Sequence, residues 1–380
     1  MVHRVLKVLV AMHFVVNEMN ALTSSKSKSK KPSGRSTGGG GFGSVSKPTS
    51  LIHTLDTGEK SQLLLQFLAL QNAKGLENAE IGYHQITGVR GLFGTTKLKK
   101  NQIICKIPSD CALALADPTK SEKEAPTSAH RGANFLDMYV KKEAAKKFWS
   151  PYLDTLPVHG STTFDPTPDF FIDDDIELFE FPRVIQRAKE RRKKIAELSG
   201  ERGLTIEELQ FATWLTTSRS FKLSIPTPPD ENDIPECDER GQIIDRTKEK
   251  DAFYVMVPFI DIANHDSDQS NCKLTLIDPE KDEAWFALEA TRPIAAGKEL
   301  VIAYGNGIES TVELLLNYGF VPSSNRIDKL MLSKGGDDTI ASVNDWTTSL
   351  EEDKAMLEMA KEDPVLKLIL TFRIRLKEAY

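Results

Sequence analysis

Residues 254–320 read YVMVPFIDIANHDSDQSNCKLTLIDPEKDEAWFALEATRPIAAGKELVIAYGNGIESTVELLLNYGF, and this stretch decides the fold. Its apolar runs predict a strand over 255–262 and a second strand over 300–303, and each run ends in polar residues. Polar groups at the ends of buried strands are costly unless a partner satisfies them. Two such ends in one stretch therefore predict a single pocket. A short amphipathic helix is predicted to follow and to close on Tyr318-Gly319-Phe320.

The bulk composition favours a globular protein with a protein partner. The chain has 380 residues, enough for one large domain with an appendage or for two domains, and 40% of them are hydrophobic. Its net charge of −6 is uneven, because residues 1–50 carry eight Lys or Arg and one acid, which leaves −13 on the remainder. An acidic body argues against direct nucleic-acid binding and suits basic segments of a protein substrate.

The cysteine pattern gives no sign of a metal site. Cys105, Cys111, Cys237 and Cys272 form no C-x-x-C pair. Neither a zinc cluster nor a disulfide framework is predicted.

The first fifty residues have the composition of a presequence or a disordered tail. Residues 5–16 are apolar but too short to span a membrane, and residues 24–46 are basic, rich in Ser and Gly and free of acids. The combination favours plastid import slightly, and a tail on a cytoplasmic or nuclear protein is the alternative. No membrane span is predicted, and a monomer is expected.

The remaining segments are assigned from their periodicity. Apolar and polar residues alternate over 88–115, and glycines interrupt the pattern. This predicts two or three strands. Thr205 and Glu208 predict a capping box at the start of a helix that runs to Arg219. An exposed acidic loop is predicted over 222–251. Helices are predicted over 63–71, 133–148, 176–198, 349–360 and 364–380, and a further strand over 329–332.

Three motifs in the chain resemble the core of SET-domain protein methyltransferases, in the branch of Rubisco large-subunit lysine methyltransferase and its SETD relatives. They are Asp261-Ile-Ala-Asn264-His265, then Glu299-Leu-Val-Ile-Ala-Tyr304-Gly305, then Glu313-Leu-Leu-Leu-Asn-Tyr318-Gly319-Phe320. The resemblance implies an α+β SET fold of small curved sheets with a pseudoknot. It also implies a SET domain over 60–325 with a helical insert at about 116–222, followed by a short helical C-terminal region over 326–380.

The activity that the resemblance implies is S-adenosylmethionine-dependent methylation of a lysine side chain in a histone or non-histone protein. Tyr304 takes the catalytic position. The cofactor-binding set is Gly88, Val89, Arg90, Gly91, Arg219, Asp261, Asn264 and His265. The substrate-binding set is Phe221, Tyr318 and Phe320.

Each of these residues also has a plain structural reading. Tyr304 could be a strand-end tyrosine, His265 a satisfied turn histidine, and Arg219 a helix-end arginine that complements the helix dipole. Phe221, Tyr318 and Phe320 could be core aromatics. The family register favours the site for Tyr304 and Arg219.

The chain departs from the family pattern at three places. Val89 stands in the first glycine slot of the cofactor loop, Ser310-Thr311 replaces the usual Ser-Asn, and the loop from Gly305 to Glu309 is two residues longer. Two other functions are compatible with the sequence. One is methylation of histidine, against which the apolar Phe221 argues, and the other is a SET-like binding module without turnover.

Overall fold

The computed structural model describes residues 53–115, 127–161, 164–226, 250–279, 281, 283–334, 345–360 and 362–380. The N-terminal segment 1–50, residues 227–249 of the predicted acidic loop and Cys237 lie outside this range, so the predictions for them are untested. The ends of that loop need correction, because residues 222–226 and 250–251 belong to two paired strands.

Most helices lie in two groups, one between the fifth and sixth strands and one after the last strand. This segregation confirms the α+β class. The strands are β1 His53–Leu55, β2 Ala79–His84, β3 Arg90–Gly94, β4 Ile103–Pro108, β5 Leu113–Ala114, β6 Ser220–Pro226, β7 Lys250–Met256, β8 Asn264–His265, β9 Cys272–Ile277, β10 Trp285–Ala290 and β11 Glu299–Ile302. The helices are α1 Glu59–Leu70, α2 Ser128–Phe135, α3 Glu143–Leu153, α4 Asp173–Glu177, α5 Pro182–Arg202, α6 Ile206–Arg219, α7 Thr311–Tyr318, α8 Arg326–Lys334, α9 Leu350–Met359 and α10 Pro364–Ala379.

Two sheets carry the strands. The larger sheet has the order β1-β2-β3-β11-β9-β10-β4, and β8 also pairs with β11. The smaller sheet has the order β5-β7-β6. β11 is antiparallel to β3 but parallel to β8 and β9. The strand from the 300–303 run therefore sits beside the polar end of the 255–262 run, where the pocket was predicted.

The helices between β5 and β6 begin and end as local chemistry requires. Thr205 and Glu208 form the predicted capping box of α6, and α5 ends at Gly203, whose φ of 61° suits a left-handed cap. The helix predicted over 176–198 begins later than expected, at Pro182, because α4 and a turn precede it. Pro is favoured in a first helical turn, where its missing N–H costs nothing.

The single helix predicted over 133–148 is wrong. α2 gives way to a π-helical turn over Leu136–Val140 before α3 begins. Leu136 and Tyr139 in this turn both remain buried, and the Tyr139 hydroxyl donates to the Ala114 carbonyl. The π-helical turn therefore interrupts the α-helical register between α2 and α3 while both side chains stay in the core.

Two predicted strands also need correction. The run over 255–262 leaves the sheet after Met256, because Pro258 has no N–H for a ladder and Phe259 has φ 73° and ψ −51°. A 3₁₀ turn over Ile260–Ile262 follows. The run over 329–332 lies inside α8, since a short apolar run does not distinguish strand from helix.

The core has two parts. The larger cluster packs α1, α2, α3 and α6 on the sheets, and a second cluster gathers apolar residues of α5, α7 and α10 around Phe372 and Phe179. Helix α7 contributes Val312, Leu315 and Leu316 to this second cluster. The helical C-terminal region is thereby packed on the helix that ends at Tyr318. No helix within the described ranges is long and apolar enough to cross a membrane.

Candidate active site

The polar ends of two strands meet as the sequence predicted. β8 and β11 pair in parallel with Asn264 opposite Val301 and His265 opposite Ile302. The next residues of β11 lead into Tyr304, whose backbone N–H donates to His265 Nδ1 at 2.9 Å. The Tyr304 hydroxyl donates to the Ala263 carbonyl at 3.1 Å. The backbone N–H and the hydroxyl of Tyr304 are thus both held by residues 263–265.

Four rings line this junction. The ring centroids of Tyr304 and Tyr318 lie 4.6 Å apart, those of His265 and Tyr304 5.0 Å apart, and those of His265 and Phe320 5.9 Å apart. All four side chains are half-buried, so they form a wall that still reaches solvent. Burial raises the pKa of Tyr304 to about 12, and the phenol therefore stays protonated at neutral pH.

The hydrogen bond at Nδ1 fixes the tautomer of His265. A backbone N–H can only donate, so Nδ1 must accept and the proton of the neutral ring lies on Nε2. Nε2 is buried and has no hydrogen-bond partner within the described part of the chain. Burial lowers the pKa of His265, which keeps the ring neutral. A buried N–H donor without a partner is a point at which a ligand acceptor fits.

Asn264 joins the loop over 88–91 to β11. Its Nδ2 donates to the Arg90 carbonyl at 2.9 Å and to Glu299 Oε1 at 2.8 Å. Gly91 lies directly below this pair, since a Cβ at Gly91 would stand 2.6 Å from Glu299 Oε1 and 2.8 Å from Asn264 Nδ2. The absence of a side chain at Gly91 therefore permits the contact between the two segments.

The rest of the loop over 88–91 is arranged differently. The Arg90 side chain donates to Asp56, Ser61 and the Thr155 carbonyl, so only its backbone points toward Asn264. Val89 is half-exposed. Gly88 has φ 69°, and a Cβ there would meet nothing within 4 Å.

Arg219 and Asp261 form a buried ion pair beside the Tyr304 turn. Arg219 Nη1 lies 3.3 Å from Asp261 Oδ2 and donates at 3.3 Å to the Asp261 carbonyl. The Tyr152 hydroxyl donates to the same Oδ2 at 2.8 Å, while Oδ1 is buried without a partner among the described residues. Burial raises the pKa of Asp261, and the Arg219 charge opposes that rise.

Phe221 is placed at the edge of this group. It pairs with Val255 in the β6–β7 ladder and packs, half-buried, on the larger core cluster. No ring contact links it to Tyr304 within the described ranges. Its substrate-binding role remains a prediction.

Two residues near the site were not assigned from the sequence. Tyr152 lies in α3, and no spacing in the sequence relates it to Asp261. Glu309 was noted only as the end of a longer loop, and its carboxylate packs against Gly305 directly after Tyr304. Within the described residues, no group of three or more His, Cys, Asp or Glu side chains could hold a metal ion.

Comparisons with known proteins agree with this geometry. No curated protein sequence matches the chain. Among solved structures, the SET domain of LSMT bound to lysine and AdoHcy superposes with a TM-score of 0.56 at 12% identity, covering 85% of this chain and 90% of that one. Rubisco LSMT bound to AdoMet gives 0.54 at 14% identity with the same coverage. The family model of the SET domain matches residues 89–305, more than half of the chain. The chain belongs to the SET-domain family.

Proposed function

We propose that this protein is an S-adenosylmethionine-dependent protein-lysine N-methyltransferase. The observation that carries the proposal is the position of Tyr304, which both hydrogen bonds fix at the meeting point of β8, β11 and the aromatic wall. The two LSMT structures reported above, with AdoMet or with AdoHcy and lysine, support the same chemistry through their shared fold.

The residues on one side of Tyr304 fit the methyl donor. Asp261 Oδ1 and His265 Nε2 are buried atoms that lack a partner within the described residues, as expected of groups that complete their hydrogen bonds with a bound ligand. We propose that His265 and Asn264 hold the adenine, that Arg219 and Asp261 hold the methionine end, and that the backbone of residues 88–91 borders the donor. When bound, S-adenosylmethionine supplies the electrophilic methyl group.

The residues on the other side fit an alkyl amine. Tyr304, Tyr318 and Phe320 present ring faces and edges that suit the apolar stem of a lysine. A protonated phenol at Tyr304 can hold the amine nitrogen in line with the donor, since positioning supplies much of the rate of such a transfer. Free lysine has a pKa of about 10.4, so the pocket must also remove a proton from the ammonium group.

The test is methyl transfer from radiolabelled S-adenosylmethionine. The full chain and its Tyr304→Phe variant are incubated with soluble protein extract from the source cells, and labelled bands are identified by mass spectrometry. We expect lysine-labelled bands whose formation falls by about 100-fold in the variant, because the phenol oxygen that would accept from the amine N–H is lost and one hydrogen bond at a reaction centre is worth roughly that much. The variant should bind S-adenosylhomocysteine as the wild type does.

Each alternative gives a different result in this experiment. Label on histidine would identify a histidine methyltransferase. Absence of label, with calorimetric binding of S-adenosylhomocysteine intact, would indicate a binding module. Absence of that binding as well would contradict the methyltransferase proposal altogether.

A further inference from the structure

Glu309 is an ionisable side chain that the proposed site does not yet use. It lies in the turn between the 3₁₀ segment Tyr304–Gly307 and α7, and its neighbour Ser310 caps α7. Asn325 Nδ2 donates to the Glu309 backbone carbonyl at 3.0 Å, which anchors the turn. The side chain folds back from this anchor toward the start of the turn and is half-buried.

The position of the carboxylate is set by Gly305. Any Cβ at Gly305 would collide with Glu309 Oε1, Cδ and Cγ, and Gly305 has φ 55°. Because Gly305 follows Tyr304 directly, the carboxylate packs against the backbone that leaves the proposed catalytic residue. It also lies close enough to Tyr318 for its charge to raise the pKa of that phenol.

The carboxylate is free to take a ligand. Within the described part of the chain it forms no hydrogen bond and no ion pair, whereas Glu313, one turn along α7, is ion-paired with Arg183. The Glu309 oxygens are absent from the fully buried side-chain atoms that lack a partner, so solvent or a ligand can reach them. Glu309 thus differs from the structural acids of its own helix region.

The groups that face Glu309 make it a suitable proton acceptor. Burial and the charge of Glu313 raise its pKa, and Arg183 on α5 and Lys222 on β6 oppose that rise. A carboxylate with a raised pKa is a stronger base than an ordinary surface carboxylate. Tyr318 on α7 is the remaining titratable neighbour, and it stays protonated because burial raises its pKa.

We propose that Glu309 binds the ammonium group of the substrate lysine at the mouth of the pocket and accepts its proton. An N–H bond of the ammonium group breaks and an O–H bond forms on the carboxylate, while the electron pair stays on the lysine nitrogen. The proton then leaves to solvent from the half-exposed carboxyl group. The inference rests on the proposed function, since it concerns how the acceptor of that reaction becomes neutral.

The first test is the pH dependence of methyl transfer by the full chain, its Glu309→Gln variant and the matched control Glu313→Gln. At pH 7 we expect Glu309→Gln to lower kcat/KM for a labelled substrate band by about 100-fold, the low end for a general base. The loss should shrink as the pH rises toward about 10.4, where free lysine is itself deprotonated. Glu313→Gln removes a charge that raises the pKa of Glu309, so we expect it to move the profile toward lower pH while it keeps most of the wild-type rate at pH 7. An equal loss at every pH, or no loss, would overturn the proposal.

The second test does not depend on turnover. Calorimetry measures the binding of n-butylammonium, a mimic of the lysine side chain, to protein saturated with S-adenosylhomocysteine. We expect about tenfold weaker binding to Glu309→Gln than to the wild type or to Glu313→Gln, with unchanged S-adenosylhomocysteine affinity. Equal n-butylammonium affinity in all three proteins would refute the role of Glu309, whereas absence of methyl transfer with this difference intact would count against the proposed function alone.

Discussion

A single imidazole connects the two sides of the site. His265 accepts the Tyr304 N–H through Nδ1 and directs its Nε2 proton at a buried position without a partner among the described residues. Protonation of Nδ1 would turn that acceptor into a donor and oppose the Tyr304 N–H. Burial disfavours the charged ring as well. Both effects favour the neutral form, which also preserves the position of Tyr304.

The first prediction concerns acid stability at His265. Its folded pKa lies below the usual value of 6.5, so the unfolded chain binds more protons and stability falls as the pH drops below about 6.5. The charges of Asp266 and Asp268 moderate this effect. The variant His265→Asn keeps an acceptor and does not titrate, so its free energy of unfolding should fall less between pH 7.5 and pH 5. Urea denaturation at both pH values measures the difference.

The matched control is His84→Asn, at the last residue of β2. It should retain the wild-type loss of stability between the two pH values. If His265→Asn also retained that full loss, His265 would not be the group responsible.

Sequence reasoning located single residues unevenly. Asn264, His265 and Tyr304 were found because each closes a buried apolar run, and the structure brings them together. The bond from Tyr152 to Asp261 spans 109 residues of sequence. No periodicity relates positions so far apart, so only the fold reveals that contact.

At the scale of elements, β3 is tied to β8 and β11 through one missing side chain. Because Gly91 has no side chain, the hydrogen bond between Asn264 and Glu299 can form directly against the backbone of β3. Gly88, three residues earlier, is free of contacts within 4 Å of its Cβ position. The two glycines therefore separate the effect of added volume from the general effect of replacing a glycine.

The second prediction uses this pair. Gly91→Ala should lower the free energy of unfolding by about 1–3 kcal/mol, the usual range for overpacking, and weaken S-adenosylhomocysteine binding by disrupting Asn264. Gly88→Ala meets only the backbone cost of a positive φ, about 1 kcal/mol. Thermal unfolding and calorimetry measure the two effects. Equal cofactor affinity in both variants would show that Gly91 does not support the donor site.

The elements themselves were predictable where local chemistry decides them. The capping box of α6 and the glycine end of α7 are sequence signals that the structure confirms. Helix α8 was wrongly predicted as a strand, because its outcome depends on tertiary contacts. Asp328 in α8 is buried and accepts from the backbone N–H and the hydroxyl of Thr311, a pairing that a window of sequence does not contain.

At the scale of the whole molecule, the C-terminal helices are held to each other and to Glu180 by ion pairs as well as by apolar contact. Asp353 is fully buried and accepts from Arg373 Nε at 3.2 Å and Lys377 Nζ at 2.5 Å. Arg373 Nη1 also lies 3.1 Å from Glu180 Oε1. This network holds α9 and α10 on the cluster that includes α7, and α7 ends at Tyr318.

The third prediction tests that connection. Asp353→Ala leaves Arg373 and Lys377 in a buried position without their carboxylate, which typically costs about 3–5 kcal/mol. We expect a matching fall in the free energy of unfolding and reduced methyl transfer at temperatures near the new Tm. Lys354→Ala removes only an exposed pair with Glu378, worth less than about 1 kcal/mol. Comparable losses in the two variants would contradict a role for the network.

The division of the chain into a SET domain over 60–325 and a C-terminal region over 326–380 stays a prediction. The second core cluster crosses that boundary, since Leu315 and Phe372 belong to it together. Domain limits read from composition and motif spacing do not account for such shared cores, because burial across a boundary depends on the folded arrangement.

Phe259 combines an unfavourable backbone conformation with a fully buried side chain. Its φ of 73° costs roughly 1–3 kcal/mol for a residue with a side chain. A glycine would relieve that strain but would empty the place of a fully buried phenyl ring, a loss of about 3–5 kcal/mol. Selection for stability alone would therefore keep the strained phenylalanine. Core packing at Phe259 therefore maintains the bend that directs the chain into Asp261 and Asn264, because a glycine that relaxed the backbone would lose the buried ring.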